Sequence, residues 1–334
     1  MKPSFVVVVG ALAVVVVVGA ECKRTNGAYC DDARPCPNGF ACDLTARECH
    51  SLVGGGFDLA GLSTDMAGCA CSGPTPICVA MTCVSCMSTS DPDGACTAAS
   101  PSTPHCASDG SCVGCRGASD CSGATPFCDM GTHMCRGCIA DSECASLVCD
   151  LTPNSTTHGI CVPINQVEYV DGGAATNGNG LLPTTPRQKI LDGVNHAVTD
   201  GRPYVHVAAT TLPYDEVVAI TNGANVYIVG ADGATLHTTQ NAKDALGVQN
   251  NAQVTVRNMI ITATSGNGSN CSMGGLKLTA YRTKFINSSQ LGVFSSGCTL
   301  TLDGCTVAGN AQGGVTVSGD FTVINSVIAK NTGG

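Results

Sequence analysis

Cysteine spacing constrains this chain more than any other feature of its sequence. The chain has 24 cysteines, and 21 of them lie between Cys22 and Cys161. Twenty of these fall into five groups of four, repeating at about 23–26 residues in the tightest copies. The groups are Cys30, Cys36, Cys42 and Cys49; Cys69, Cys71, Cys78 and Cys83; Cys86, Cys96, Cys106 and Cys112; Cys115, Cys121, Cys128 and Cys135; and Cys138, Cys144, Cys149 and Cys161.

A zinc site is the alternative interpretation of one stretch. The segment from Cys112 to Cys138 begins and ends with a C-x2-C pair, which fits a site with four thiolate ligands. Cys121 and Cys128 lie between the two pairs, however, and the repeat continues on both sides. We therefore interpret each pair as the boundary between two disulfide modules and predict no metal site. Four cysteines allow three pairings in each module, and the spacing does not choose among them.

The N-terminus indicates export. Lys2 precedes an uncharged apolar run, Phe5–Ala20, and Val18-Gly19-Ala20 has the small residues of a cleavage site. We predict a signal peptide over residues 1–20 and a secreted or cell-envelope location, where thiols oxidise. Cys22, left over from the groups, is a candidate for lipid attachment, although Glu21 before it favours simple secretion. Contact with a membrane is expected only through such a lipid.

Charge and composition divide the chain into two regions. Residues 21–163 form the cysteine-rich region, which is strongly acidic, with a Gly-rich flexible linker at 50–68. Residues 164–334 are nearly neutral. Neither region has the basic stripe that binding to nucleic acid requires. The chain has no tryptophan and only 4% aromatic residues, so the first region must depend on cross-links rather than on a large apolar core.

The second region shows a repeat of short strands. An amphipathic helix is predicted first, capped by Thr185 with Pro186 as its first residue and an apolar face that includes Val198. Four later segments then align at offsets of 24, 22 and 21 residues. They are Val254–Thr262, Leu278–Ile286, Leu300–Ala308 and Phe321–Ala329. Two inward columns are predicted, namely Val256, Ala280, Leu302 and Val323, and Ile261, Phe285, Val307 and Ile328. Coils that bury their apolar columns only against neighbours indicate a parallel β-helix.

The second region resembles the right-handed parallel β-helices of the pectin-lyase-like superfamily. The segments YVDGGAATNGNGLLPTTPRQKILDGVNHAV and TLPYDEVVAITNGANVYIVGADG carry the resemblance. It implies an all-β domain whose N-terminal helix covers the open end of the coil stack. The cysteine modules resemble repeats of exported surface proteins of myxobacteria-like bacteria, with little regular structure. These folds host lyases, hydrolases, adhesins and scaffolds, so the resemblance leaves the activity open.

Two sets of side chains are candidates for binding. Thr255, Thr279, Thr301 and Thr322 fall in one outward column, which predicts a hydroxyl-lined face suited to carbohydrate. Lys277, Arg282 and Lys284, with Arg257 on the preceding coil, are basic groups that either form a solvated face or contact acidic glycans. Among the three late cysteines, Cys305 is predicted to be a buried free thiol, whereas Cys271 and Cys298 are either paired or free.

No catalytic residue is predicted. Asp303 and Asp320 are the only acids after residue 246, and the alignment does not stack them as paired carboxylates require. We therefore expect an exported protein that presents a β-helix on a disulfide-rich stalk and binds a glycan or another surface component without catalysis. The alternative is a polysaccharide lyase or glycoside hydrolase of the pectin-lyase-like superfamily whose catalytic coils are missing or degenerate. No cofactor is expected, and Ca²⁺ enters only with the lyase. Because the chain ends within a coil, further coils are expected after residue 334.

Overall fold

The structure is a computed structural model that describes residues 40–43, 48–51, 71–153, 155–272, 274 and 276–333. The signal peptide, Cys22, Cys30, Cys36, Cys69 and most of the 50–68 linker lie outside these residues. The chain divides into two compact units. The first comprises residues 1–70 and 78–82, and the second comprises residues 71–77 and 83–334. In the first unit, strands β1 (Phe40–Asp43) and β2 (Glu48–Ser51) pair antiparallel, with Cys42 opposite Cys49.

The described cysteine modules contain short elements. In chain order these are β3 (Ile77–Val79), β4 (Thr82–Val84), α1 (Pro92–Ala99), β5 (His105–Cys106), β6 (Cys112–Val113), β7 (Phe127–Asp129) and β8 (Met134–Arg136). Strands β5 and β6 pair antiparallel, as do β7 and β8. Single 3-10 turns lie at Cys86–Ser88, Ala118–Asp120, Asp141–Glu143 and Ile164–Gln166.

Disulfides join first to third and second to fourth cysteines in each of the last three modules. The pairs are Cys86–Cys106, Cys96–Cys112, Cys115–Cys128, Cys121–Cys135, Cys138–Cys149 and Cys144–Cys161. Cys71 pairs with Cys83, and Cys78 is also disulfide-bonded. The predicted grouping is confirmed for these three modules. Each C-x2-C pair separates two modules, because its two sulfurs belong to different disulfide sets.

Disulfide bonding also accounts for the closely spaced sulfur atoms in the segment from Cys112 to Cys138. Triplets of sulfur atoms lie within 4.8 Å of one another in each module, for example those of Cys115, Cys121 and Cys135. The thiolate is the form of cysteine that binds a metal. The sulfurs of these triplets are in disulfides, so their proximity reflects covalent pairing.

The second region is a parallel β-solenoid of about five turns, of the right-handed type. Its strands, in chain order, are β9 (Val167–Val170), β10 (Tyr204–Val207), β11 (Tyr214–Asp215), β12 (Val218–Ile220), β13 (Asn225–Gly230), β14 (Thr235–Thr238), β15 (Leu246–Val248), β16 (Gln253–Arg257), β17 (Ile260–Ala263), β18 (Ser269–Cys271), β19 (Lys277–Tyr281), β20 (Lys284–Ile286), β21 (Leu291–Ser296), β22 (Thr299–Asp303), β23 (Thr306–Ala308), β24 (Gly313–Ser318), β25 (Phe321–Ile324) and β26 (Val327–Ala329).

Three parallel sheets form the walls of the solenoid. The first sheet has the order β25-β22-β19-β16-β13-β10-β9, the second β11-β14-β17-β20-β23-β26, and the third β12-β15-β18-β21-β24. Both predicted inward columns are confirmed by the strand register. Their members are buried in the first coils, whereas Val323 is half-buried and Ile328 is exposed.

Helix α2 (Ile190–Thr199) covers the N-terminal end of the stack through Ile190, Val194 and Ala197. Gly193 permits a close approach, because a Cβ there would lie 2.4 Å from the Val170 side chain. The predicted cap at Thr185 is wrong. The backbone of Arg187 is extended and exchanges hydrogen bonds with the first strand, accepting from Asp171 and donating to Tyr169.

The cap of α2 comes instead from a distant part of the chain. The Glu216 carboxylate accepts hydrogen bonds from the backbone N–H groups of Ile190 (2.7 Å) and Leu191 (3.0 Å). A side-chain oxygen that accepts from the first turn satisfies otherwise unpaired donors. The apolar face is also narrower than predicted, since Val198 is exposed.

A buried carboxylate anchors the first strand. Glu168 is fully buried, and its Oε1 accepts a 2.6 Å hydrogen bond from Arg187 Nε. Arg202 Nη1 lies 3.7 Å from the other oxygen and donates to the Val167 carbonyl at 2.8 Å. Two guanidinium groups thus compensate the one carboxylate, which a buried charge requires.

The cysteines of the solenoid follow the prediction. Cys271 and Cys298, on neighbouring coils, form a disulfide, which settles the alternative that the sequence left open. Cys305 is a buried free thiol, as predicted. Burial raises the pKa of the Cys305 thiol, and its Sγ donates to the Ala280 carbonyl at 3.3 Å.

We predict a pH-dependent link between the last two modules. Arg136 donates to both Glu143 oxygens, at 2.7 and 3.0 Å, and these hydrogen bonds lower the pKa of Glu143 to about 2. A lowered pKa stabilises the folded form above the unfolded value of 4.5, and that contribution is lost as the pH falls towards 2. Glu143→Gln is expected to cost about 1 kcal/mol of unfolding free energy at neutral pH and almost nothing near pH 2. Denaturant unfolding across this range measures it, and parallel pH profiles for both proteins would contradict the prediction.

Candidate binding face of the first sheet

The predicted threonine column lies in one register on the first sheet. Thr255, Thr279, Thr301 and Thr322 are successive strand partners. The column extends further than predicted, because Tyr227 pairs with Thr255 and Tyr204 pairs with Tyr227. The two tyrosine rings stack with centroids 4.8 Å apart. The sequence repeat missed them because the coil that begins at β13 is longer than the later ones, so its offset differs. Tyr227 is the third residue of β13, which is the position that threonine holds in β16, β19 and β22. This shared position was the signal that the sequence offered.

Exposure along this column is uneven. Thr322 is exposed, and Thr255 and Thr301 are half-buried. Thr279 is only 3% exposed, and its Oγ1 has no hydrogen-bond partner. The predicted outward column is therefore in register, but its central threonine is buried rather than open to solvent.

The last cysteine module packs on the outer face of the same sheet. Val148 and Val162 of the module form an apolar cluster with Val167, Tyr169 and Val229 of the first strands. The Tyr169 hydroxyl donates to the Ser146 carbonyl at 3.1 Å. This contact has no signal in the sequence repeat, because periodicity within the solenoid carries no information about what covers its outer face.

An ion pair fixes the position of the module. Arg257, in β16, donates through Nη2 to Asp141 Oδ1 at 2.5 Å and to the Cys149 carbonyl at 3.0 Å. Its side chain is 8% exposed and that of Asp141 is 18% exposed. Burial lowers the pKa of Arg257, and the nearby Asp141 carboxylate opposes that shift. Arg257 is therefore a docking residue of the module rather than one of a set of solvated cations.

The other predicted cations are not brought together. Lys277 and Lys284 are exposed and begin strands of different sheets. Arg282 occupies the bend between them with φ +47°, a left-handed conformation. The equivalent bends of neighbouring coils use Asn258, Gly304 and Asn325, which tolerate this conformation better. Among the described residues, these three cations form no ion pair, and their positions do not define a single basic site.

A small cleft lies where the module meets the sheet. Asp150, Leu151 and Thr152 line it on the module side, and Tyr204, Tyr227 and Tyr281 line it on the sheet side. Its volume is about 10 Å³, which is room for about one water molecule. Burial raises the pKa of Tyr204 to about 12 and also raises that of Tyr281. These hydroxyl groups are therefore neutral hydrogen-bonding groups at physiological pH.

The carboxylates near the cleft are already engaged. Burial favours a higher pKa for Asp150, but hydrogen bonds from Thr157 (2.6 Å), Ser155 (2.7 Å) and the Thr152 N–H (2.9 Å) lower its pKa overall. Asp303 accepts from Asn325 Nδ2 at 3.0 Å. Asp303 is opposite Ile324, as predicted, so it does not stack with Asp320 on the next coil.

We predict that Arg257→Ala destabilises the docked module. Removing one partner leaves the Asp141 carboxylate half-buried without its charge partner, which is expected to cost about 3 kcal/mol of unfolding free energy. The matched control is Lys277→Ala, which removes an exposed cation of the same sheet and should change the free energy by less than about 0.5 kcal/mol. Denaturant unfolding provides both values. Equal effects of the two substitutions would show that the ion pair does not hold the module.

Comparison with known proteins gives one match. Residues 59–167 match a family of unknown function, DUF8331. The match covers about a third of the chain and ends at the first residue of β9, so it includes the module that packs on the sheet. No curated protein and no solved structure matches the chain. In the part of the chain that the structure describes, no helix has the length and apolarity to cross a membrane.

Proposed function

We propose that this chain is an exported, non-catalytic protein that binds a glycan on the outer face of the first sheet, beside the last cysteine module. The observation that carries the proposal is the tyrosine–threonine column, whose tyrosine end lies beside the half-exposed Tyr281. A row of neutral hydroxyl groups beside half-exposed aromatic rings suits a ligand that offers both C–H faces and hydroxyl groups, as sugars do.

The distribution of tyrosines supports this choice. The chain has six tyrosines and no tryptophan. Four of them, Tyr169, Tyr204, Tyr227 and Tyr281, lie on the outer face of the first sheet. The module buries Tyr169, whereas the other three are half-exposed at the cleft. So strong a concentration of scarce aromatic side chains at one partly open place favours a recognition role.

Export is supported by the covalent structure. Every cysteine from Cys71 to Cys161 is in a disulfide. Disulfides form and persist in oxidising compartments. The apolar N-terminal run in the sequence points to the same compartment. So does the resemblance to exported myxobacterial-type repeats and pectin-lyase-like β-helices. In this proposal the disulfide modules attach the binding face to the rest of a secreted or surface-displayed protein.

The hydrogen bonds and ion pairs of the nearby carboxylates favour binding without turnover. Sugar hydrolysis on paired carboxylates needs one protonated and one ionised group facing the substrate. Among the described residues near the cleft, Asp141 is committed to Arg257 and Asp150 accepts three hydrogen bonds. The strand partners of Asp303 are Tyr281 and Ile324, so Asp303 does not face a second carboxylate on either neighbouring coil.

The test is binding of the oxidised, full-length protein to soluble polysaccharides. The panel is β-glucan, xyloglucan, galactomannan, polygalacturonate and alginate, each with and without Ca²⁺. Tyr227→Ala is expected to weaken the observed affinity about tenfold, because it removes one aromatic contact of about 1.4 kcal/mol. Phe321→Ala is the control, since it removes an exposed ring from the far end of the same sheet.

Two results would contradict the proposal. Turnover of any polymer, seen as new reducing ends or unsaturated products, would replace binding with catalysis. If the protein unfolds cooperatively on heating but binds none of these polysaccharides, the proposal of glycan binding is wrong.

A further inference from the structure

A buried histidine lies between the last module and the first sheet. His206 is the register partner of Tyr169 on one side and of Val229 on the other, and both neighbours contact the module. His206 is 8% exposed, and its ring centroid lies 6.0 Å from that of Tyr169. The module therefore covers an ionisable group that the proposed binding face does not use.

The imidazole of His206 has no partner that would hold a proton on it. Among the residues that the structure describes, none forms a hydrogen bond or an ion pair with its ring. The nearby Asp141 carboxylate is already bonded to the Arg257 guanidinium. A cation formed at His206 would therefore lose contact with water without gaining a counter-ion of its own.

Ionisable groups of the sheet and of the module surround this position. Tyr169 and Arg257 belong to the sheet, and Asp141 and Asp150 belong to the module. Burial lowers the pKa of His206, and the Asp141 carboxylate opposes that shift. Histidine is the residue type in this set whose ordinary pKa lies between pH 5 and 8, so it is the group that changes charge in that range.

The direction of the pH effect follows from burial. Because the pKa of His206 in the docked form lies below its ordinary value of 6.5, the neutral ring stabilises docking fully above pH 6.5. Below that pH the open form takes up a proton from the solvent that the docked form resists, so docking weakens. The disulfides Cys138–Cys149 and Cys144–Cys161 lie within the module and keep it folded when it separates from the sheet.

We propose that the last cysteine module is an acid-sensitive cover of the first sheet, held down at neutral pH over an uncharged His206 and released locally when His206 takes up a proton. Release uncovers the side chains of Tyr169 and Val229, which form an apolar surface on the same sheet as the threonine column. This inference concerns the module alone and does not rest on the proposed binding of a glycan.

The test measures how often the module opens. Val229→Cys places a thiol beneath the module, and its alkylation by limiting iodoacetamide is followed by peptide mass spectrometry at about pH 7.5 and about pH 5.5. Each rate is divided by that of the unfolded protein at the same pH, which removes the pH dependence of thiolate formation. The corrected rate is expected to rise several-fold on acidification. Its limit is about tenfold, because a histidine with the ordinary pKa is about ten times more often charged than neutral at the lower pH.

Two substitutions in the Val229→Cys background remove the titration. His206→Phe and His206→Gln should each give a corrected rate that does not change on acidification. The matched control is His158→Gln, which removes an exposed histidine of the same module and should keep the full change. Cys305, the buried free thiol of the solenoid, reports opening of the core in the same molecule.

An NMR titration of the unaltered protein gives an independent measurement, and the midpoint of His206 is expected below 6.5. A midpoint at or above that value would overturn the proposal. So would a corrected rate that stays constant on acidification, or a rise that persists in both His206 variants. A parallel rise at Cys305 would also overturn it, because the whole solenoid would then be opening. Failure of glycan binding contradicts the proposed function alone.

Discussion

A coil of a parallel solenoid cannot bury its own apolar side chains, so the whole second region depends on stacking and on closure of its first coil. Val256, Ala280 and Leu302 are buried only because each lies between partners on adjacent coils. The first coil has no preceding partner of this kind. Helix α2 covers it, and the Glu168 carboxylate with Arg187 and Arg202 ties the first strand to the covering loop.

The same constraint explains the position of the last cysteine module. The outer faces of β9, β10 and β13 carry large side chains, including Tyr169 and Val229, that water solvates poorly. A module held by two disulfides supplies a rigid partner for them without needing a core of its own. Arg257 then orients the module by bonding both a side chain and a backbone carbonyl of it. The small cleft lies where Asp150, Leu151 and Thr152 of this module meet the tyrosines of the sheet.

Most of the fold could be predicted because its determinants are local or periodic. Grouping the cysteines and aligning the strands correctly predicted the cysteine sets of the last three modules, the inward columns and the register of the threonine column. Prediction failed where a distant residue changed the local outcome. Thr185 and Pro186 are good helix-starting residues, yet the helix begins at Ile190, because Glu216 caps it there. A side chain more than twenty residues away gives no signal in the local pattern.

The candidate site shows the same difference between what local spacing determines and what distant contacts determine. By itself, the sequence determined which residues share a column and which cysteines belong to one module, because both follow from spacing. Only the tertiary structure decided that Arg257 is buried against Asp141 and that Tyr204 and Tyr227 continue the column. It likewise decided that Leu151 and Thr152 border the face. The contacts of Arg257 with Asp141 and of Leu151 with the sheet depend on packing between segments far apart in the chain, and Tyr204 and Tyr227 belong to coils whose length differs from the later repeat. The repeat in the sequence records neither.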